Sequence, residues 1–188
     1  GDFGTFQRAE SMPAGMGWTY HNRKEPNMYR RILVPIDGSH TSALGLAQAI
    51  RLAKNQHARL RLVHVVDEFA LTQNYDGMAL INADELIDAL RDSGRQTMAR
   101  AVALARRHGV KAESAMFESL SGRVSDQILG EAKKWRADLI VMGTHGRRGV
   151  NRLVLGSDAE VVLRSTPVPV LLVRSPMRRT PARKKKAG

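Results

Sequence analysis

Apolar residues gather in five short runs, and the stretches between four of them repeat at helical spacing. The first run, Ile32-Leu33-Val34, is continuous and lies within a strand predicted over 29–37, as expected of a parallel strand covered on both faces. Pro35 cannot donate to a ladder, so it sets a break near that strand's end. Asp37-Gly38-Ser39 is a turn into a helix that Ser39 or Thr41 can cap, with Leu44, Ala47 and Ile50 at helical spacing through Lys54. Residues 58–66 form a second strand, alternating at first and continuous later, and 69–82 a loop of mixed composition. A long amphipathic helix follows over about 83–108, with Leu86, Leu90, Met98, Val102 and Ala105 on its apolar stripe. Gly109 stops it.

Residues 110–118 alternate weakly, which suits a strand near a sheet edge. Ser121-Gly122-Arg123 leads into a helix through Val124, Ile128, Leu129, Ala132 and Trp135. A fourth strand covers 137–142, a helix 156–164, and a fifth strand 167–173, whose two prolines fit an edge position. The order βαβαβαβαβ predicts an α/β protein with an open, five-stranded, mostly parallel, doubly wound sheet. Ligands of such sheets lie outside the carboxyl ends of the strands, at the switch point.

One stretch stands where that ligand belongs. Residues 143–157, between the fourth strand and the next helix, hold four glycines, Thr144, Ser157 and the arginines Arg147, Arg148 and Arg152. Glycines let a ligand approach the backbone closely, and the N–H groups of a helix's first turn favour an anion. The stretch therefore suggests a phosphate-bearing ligand. It contains neither G-x-x-x-x-G-K-[ST] nor G-x-G-x-x-G.

Charge and composition change this picture little. The net charge of +12 divides unevenly: residues 1–27 net to zero, 28–173 carry +5 and 174–188 carry +7. The excess on the last segment can touch nucleic acid or an acidic surface by simple electrostatics, and no binding of nucleic acid is expected beyond that. Aromatics make up only 5% of the residues, so no stacking platform for single strands is visible. No apolar run approaches the roughly 18 residues needed to cross a bilayer, residues 1–27 hold no apolar signal core, and there is no cysteine. The expectation is a cytoplasmic protein with no membrane partner. Its single domain spans 28–174, flanked by an extension over 1–27, whose opening glycine suggests a processed end, and a basic tail over 175–188.

The spacing of the glycine stretch is more specific than its composition. Gly143, two residues, Gly146, nine residues, Gly156, then Ser157 is a G-2x-G-9x-G-[S/T] pattern, and it resembles the nucleotide-binding loop of the universal stress protein family. Three further blocks carry the resemblance over about 28–174: Ile32 to Ser39 at the start, Ala137 to Gly146 near the end, and the closing Thr166-Pro167-Val168-Pro169-Val170-Leu171-Leu172-Val173. The resemblance implies an adenine nucleotide alpha-hydrolase-like sheet with strand order 3-2-1-4-5, and ATP as ligand; Mg²⁺ suits ATP as a companion, although the sequence shows no dedicated carboxylate cluster for it. By position it implies that Asp37 meets the ribose or adenine edge, that the backbone of Val65 reads adenine, and that Gly143 and Gly146 close on ribose and phosphates. Gly156 and Ser157 would donate to the phosphates, and Pro35, Ile36, Met142, Thr144, His145, Arg148 and Asp158 would complete the site. It also implies a homodimer through the last strand, residues 168–173.

Asp158 fits this carry-over least, because a carboxylate beside phosphates repels them. Three roles stay open for it: complementing its helix dipole with the side chain turned away, engaging a divalent cation, or being offset by Arg147, Arg148 and Arg152. Asp37 also suits a plain turn or cap, and His64, between valines, suits the core. His145 has no nucleophile-and-base partners at recognisable spacing, so no catalytic residue is assigned and any ATP hydrolysis is expected to be slow. The expected function is an ATP-binding stress-response factor. Alternatives are an ATPase or nucleotidyl-transfer enzyme on the same fold, and an interaction protein acting through Arg183-Lys184-Lys185-Lys186.

Overall fold

The computed structural model of the chain describes residues 28–67, 83–119, 123–144 and 155–175. The predicted 69–82 loop, the 1–27 extension and all but the first residue of the basic tail lie outside the described residues. The elements in chain order are β1 (Arg31–Pro35), α1 (His40–Gln56), β2 (Arg59–Asp67), α2 (Ala83–Arg107), β3 (Ala112–Ser119), α3 (Val124–Lys134), β4 (Leu139–Gly143), α4 (Ser157–Ser165) and β5 (Val170–Val173). The five strands form one parallel sheet in the order β3-β2-β1-β4-β5, as expected.

Each central strand buries both faces, which is why its apolar run is continuous rather than alternating. Ile32, Val34, Leu60 and Leu62 point into one layer with Leu46, Ala49 and Ile50 of α1 and Met98, Ala101 and Ala105 of α2. Leu33, Val63, Ile140 and Met142 point into the other with Ile128 and Ala132 of α3 and Ala159 and Val162 of α4. α1 and α4 therefore cover opposite faces, and the sheet's winding reverses between β1 and β4, which pair as Ile32–Leu139 and Leu33–Ile140.

Local chemistry sets the element ends. α1 starts at Ser39, whose side chain accepts the Ser42 N–H, and ends at His57 in the left-handed conformation (φ 49°). Gly109 (φ +74°) turns the chain out of α2 so that the Val110 N–H returns to the Ala105 carbonyl at 3.0 Å. β4 begins two residues later than predicted because Asp138 is used as a latch. Its carboxylate accepts the Arg30 N–H at 2.8 Å and the Arg31 N–H at 3.0 Å, while its own N–H reaches the Arg31 carbonyl. β5 begins at Val170, not Pro167, since Pro167 and Pro169 have no N–H to give.

Candidate functional site

The carboxyl ends of β1 and β4 carry the predicted site residues. β1 stops at Pro35, yet the Ile36 N–H still reaches the Val63 carbonyl at 2.7 Å, which keeps Ile36 in register and buried. The Ile36 carbonyl is held at 2.6 Å by Nδ1 of the buried His64 on β2. Asp37 follows, half-buried. One of its carboxylate oxygens accepts the Ser39 N–H at 2.9 Å, which shapes the turn, and Gly38 passes through it at φ +81°. The turn role and a ligand role are compatible, since the carboxylate has a second oxygen. β2 outruns β1, continuing from the last pairing at Pro35–Val63 to Asp67, so Val65 stands half-buried at the rim beside Ile36.

β4 ends in the buried Met142 and in Gly143, which is pressed against the start of α1. A Cβ on Gly143 would lie 2.9 Å from the Thr41 carbonyl carbon and 3.1 Å from the Ser42 nitrogen. From the other side, a Cβ on Gly45 of α1 would lie 3.4 Å from the Gly143 nitrogen. Two glycines thus seat α1 directly on the end of β4. The Thr144 N–H then donates to the Val173 carbonyl of β5, and the Thr144 carbonyl accepts the Gly156 N–H, both at 2.9 Å. That second bond closes the neck of the glycine-rich loop, bringing residue 144 back to the first residue before α4. His145, Gly146, Arg147, Arg148 and Arg152, inside the loop, lie outside the described residues.

α4 starts from Gly156 at φ −63°, ψ 147°, with no side-chain cap. Any residue can adopt that conformation, so the backbone alone does not ask for glycine there. A helix start with no side-chain acceptor of its own leaves its first turn turned toward an anion. Ser157, exposed, is the next residue.

Asp158 points elsewhere. Its Oδ1 accepts the Ser125 N–H at 3.2 Å, in the first turn of α3, whose own N-cap Arg123 supplies no side-chain bond. Asp158 therefore caps the neighbouring helix, and its charge is met by that helix's positive end. Of the three roles open to it, the turned-away carboxylate is the one the geometry supplies.

The structure thus brings Pro35, Ile36, Asp37, Met142, Gly143, Thr144, Gly156 and Ser157 to one rim, with Val65 beside them. Gly45 and Ser125 escaped the sequence reading, as did the contact of Thr41 with Gly143 and the bond of His64, read as a core residue, to the Ile36 carbonyl. An isolated glycine inside a helical pattern was the available signal for Gly45. The partners of the other three depend on how the helices sit on the sheet.

Comparison with known proteins identifies the family and the fold. The model of the universal stress protein family matches residues 28–174. A universal stress protein of Methanocaldococcus jannaschii is 36% identical over 155 residues, covering 82% of this chain and 87% of the relative. A solved structure from the universal stress protein family of Burkholderia pseudomallei superposes with a TM-score of 0.62 at 37% identity, covering 79% of this chain and 98% of that one. Two structures that share the fold at 22% identity are complexes: a universal stress protein with cAMP (TM-score 0.54, covering 78% of this chain and 97% of that one) and one from Archaeoglobus fulgidus with dAMP (TM-score 0.52, covering 78% and 98%).

Proposed function

The chain belongs to the universal stress protein family, and from that premise we propose that it binds an adenine nucleotide, ATP, at the rim between β1 and β4, as a regulatory stress-response factor. The observation that carries the proposal is the closed neck of the loop: the Gly156 N–H bonded to the Thr144 carbonyl at 2.9 Å. It sets an uncapped helix start beside the end of β4, at the one place in a doubly wound sheet where strand ends and helix starts open together. Adenine nucleotides in two proteins of the same fold support the choice of ligand class.

In this reading the free oxygen of Asp37 takes the ribose or adenine edge, and the Val65 backbone takes adenine. Ser157 takes the phosphates with its N–H and hydroxyl, while Gly156, whose own N–H is spent on the Thr144 carbonyl rather than on a phosphate, leaves room for them; Gly146, His145 and Arg148 complete the site. Mg²⁺ comes with the polyphosphate. Asp158, committed to α3, stays out of the phosphate shell. The residues supply anion binding and orientation, and turnover of ATP is slow because the reading includes no base aimed at a water.

The protein acts as a homodimer through β5. This strand pairs on one side only and leaves Leu171 41% exposed, an edge that natural sheets cover or blunt. The domain spans 28–174, between an extension and a basic tail, in the cytoplasm. No described helix is long and apolar enough to cross a membrane.

Nucleotide carried through purification tests the binding directly. Denaturing the pure protein and resolving the released small molecules by retention and mass should yield an adenine nucleotide, and ATP added back should give saturable heat in isothermal titration. No released nucleotide together with no heat from ATP, ADP or AMP would overturn the proposal. For the dimer, light scattering should show Leu171→Lys as a monomer.

A further inference from the structure

The pole of the molecule opposite the loop collects the domain's positive charge. In a parallel sheet every strand starts at one end, and the helices, running back, finish there too. The last turns of α1, α2 and α3 bring Lys54, Arg106, Arg107, Lys133 and Lys134 to that end. Such residues complement the negative ends of helices, and taken alone they need no other explanation. A second set has no helix end to answer. Arg30, Arg31, Arg59, Arg61 and Lys111 sit at strand starts. Backbone pairing places them side by side: Arg31 is in register with Arg59, the Arg59 N–H donates to the Arg30 carbonyl, and the Leu60 N–H donates to the Lys111 carbonyl.

Among the described residues, Glu131, Glu113 and Asp138 are the carboxylates bonded at these strand starts, and each is committed. Glu131, buried, binds Arg61 Nε at 2.7 Å. Glu113 binds Arg61 at 3.2 Å and stands 3.9 Å from Arg59. Asp138 spends its oxygens on the Arg30 and Arg31 backbone N–H groups. At the centre, the guanidiniums of Arg31 and Arg59 lie 4.9 and 5.6 Å from the centroid of the Trp135 ring. Arg31 Nε is buried there with no hydrogen-bond partner. Both guanidiniums lie over one indole, and Glu113 at 3.9 Å from Arg59 is the one side-chain carboxylate paired with either among the described residues.

We propose that this pole, centred on Arg31, Arg59 and Trp135, is a docking surface for the phosphate backbone of a nucleic acid. Neighbouring strands stand about 4.8 Å apart, so the row from Lys111 across Arg59 to Arg31 spans about 10 Å, the scale of a few successive phosphates. A protein partner would look for an apolar centre. Here Trp135 is buried, and the large apolar side chains exposed among the described strand starts and helix ends of this pole are Met28 and Leu163, which belong to separate elements. A strongly basic, polar surface matches nucleic-acid interfaces instead. None of these residues belongs to the proposed nucleotide site or to the basic tail.

The test titrates the full chain into a labelled mixed-sequence DNA duplex of about twenty base pairs, following anisotropy across a salt series. Lys111→Glu/Lys133→Glu/Lys134→Glu should bind about tenfold more weakly or worse, with the slope of log K against log salt smaller by about three. Arg95→Glu/Arg100→Glu/Arg123→Glu makes the same change in net charge away from the pole and should stay within about twofold of the parent. Should the charge reversal lower the melting temperature, Lys111→Gln/Lys133→Gln/Lys134→Gln applies the same test at half the charge change. Equal weakening in the pole and control variants, or weakening only when Arg183 to Lys186 are neutralised, would overturn the proposal. So would displacement of the duplex by polyglutamate as readily as by unlabelled duplex.

Discussion

The two ends of the glycine-rich loop look alike in the sequence and are built under different constraints. At Gly143 the constraint is the protein itself, since any Cβ would press within 2.9 Å of the backbone at Thr41, where α1 begins. At Gly156 the dihedral angles, φ −63° and ψ 147°, suit any residue, and the side chain is missing where a helix start has no side-chain cap. One glycine is required by packing; at the other the backbone makes no demand, and in the proposed site its missing side chain leaves room for phosphates. A motif written as evenly weighted glycines hides that division, and only the fold separates a glycine that holds the site's walls from one that holds its space.

Substitutions can break this contrast or sharpen it. Gly143→Val should be the most damaging, because a β-branched side chain cannot fit against the α1 backbone. A loss of about 3 kcal/mol, at the upper end for overpacking, should appear as an earlier urea midpoint with an unchanged slope. If Gly143→Val unfolds like the parent and loses only ligand, the packing role is wrong. Asp158→Ala removes the cap on α3 and should cost about 1 kcal/mol. ATP affinity should change by less than about twofold, well under the 1.4 kcal/mol that a tenfold change represents. A marked gain in ATP affinity would place the carboxylate beside the phosphates after all. Gly45→Ala should be closest to neutral. Its Cβ would meet the Gly143 nitrogen at 3.4 Å, a mild contact, while alanine gains about 1 kcal/mol of helix propensity over glycine.

The same contrast explains what could be read without the fold. Continuous apolar runs such as Ile32-Leu33-Val34 identified the strands because burial on both faces leaves no room for alternation. The turn chemistry of Asp37-Gly38-Ser39 fixed the start of α1 for local reasons, and Ser39 is indeed its cap. Strand ends were placed less well where a distant partner decides them. Asp138 latches two backbone N–H groups of the first strand, a role that its own neighbours in sequence do not suggest. Asp158 shows the same limit, since its partner Ser125 is thirty-three residues away in another helix. The grouping of charge in space shows the same limit. Counted along the chain, the excess lay on the tail, whereas the parallel topology stacks the strand starts and helix ends of the domain into one basic pole.

The most direct test of the nucleotide reading is Gly156→Val, with ATP titrated calorimetrically and urea unfolding measured on the same preparation. The account predicts a stability within about 0.5 kcal/mol of the parent, as for a substitution that the backbone tolerates, together with loss of measurable ATP binding. A folded Gly156→Val protein that binds ATP as tightly as the parent would contradict it.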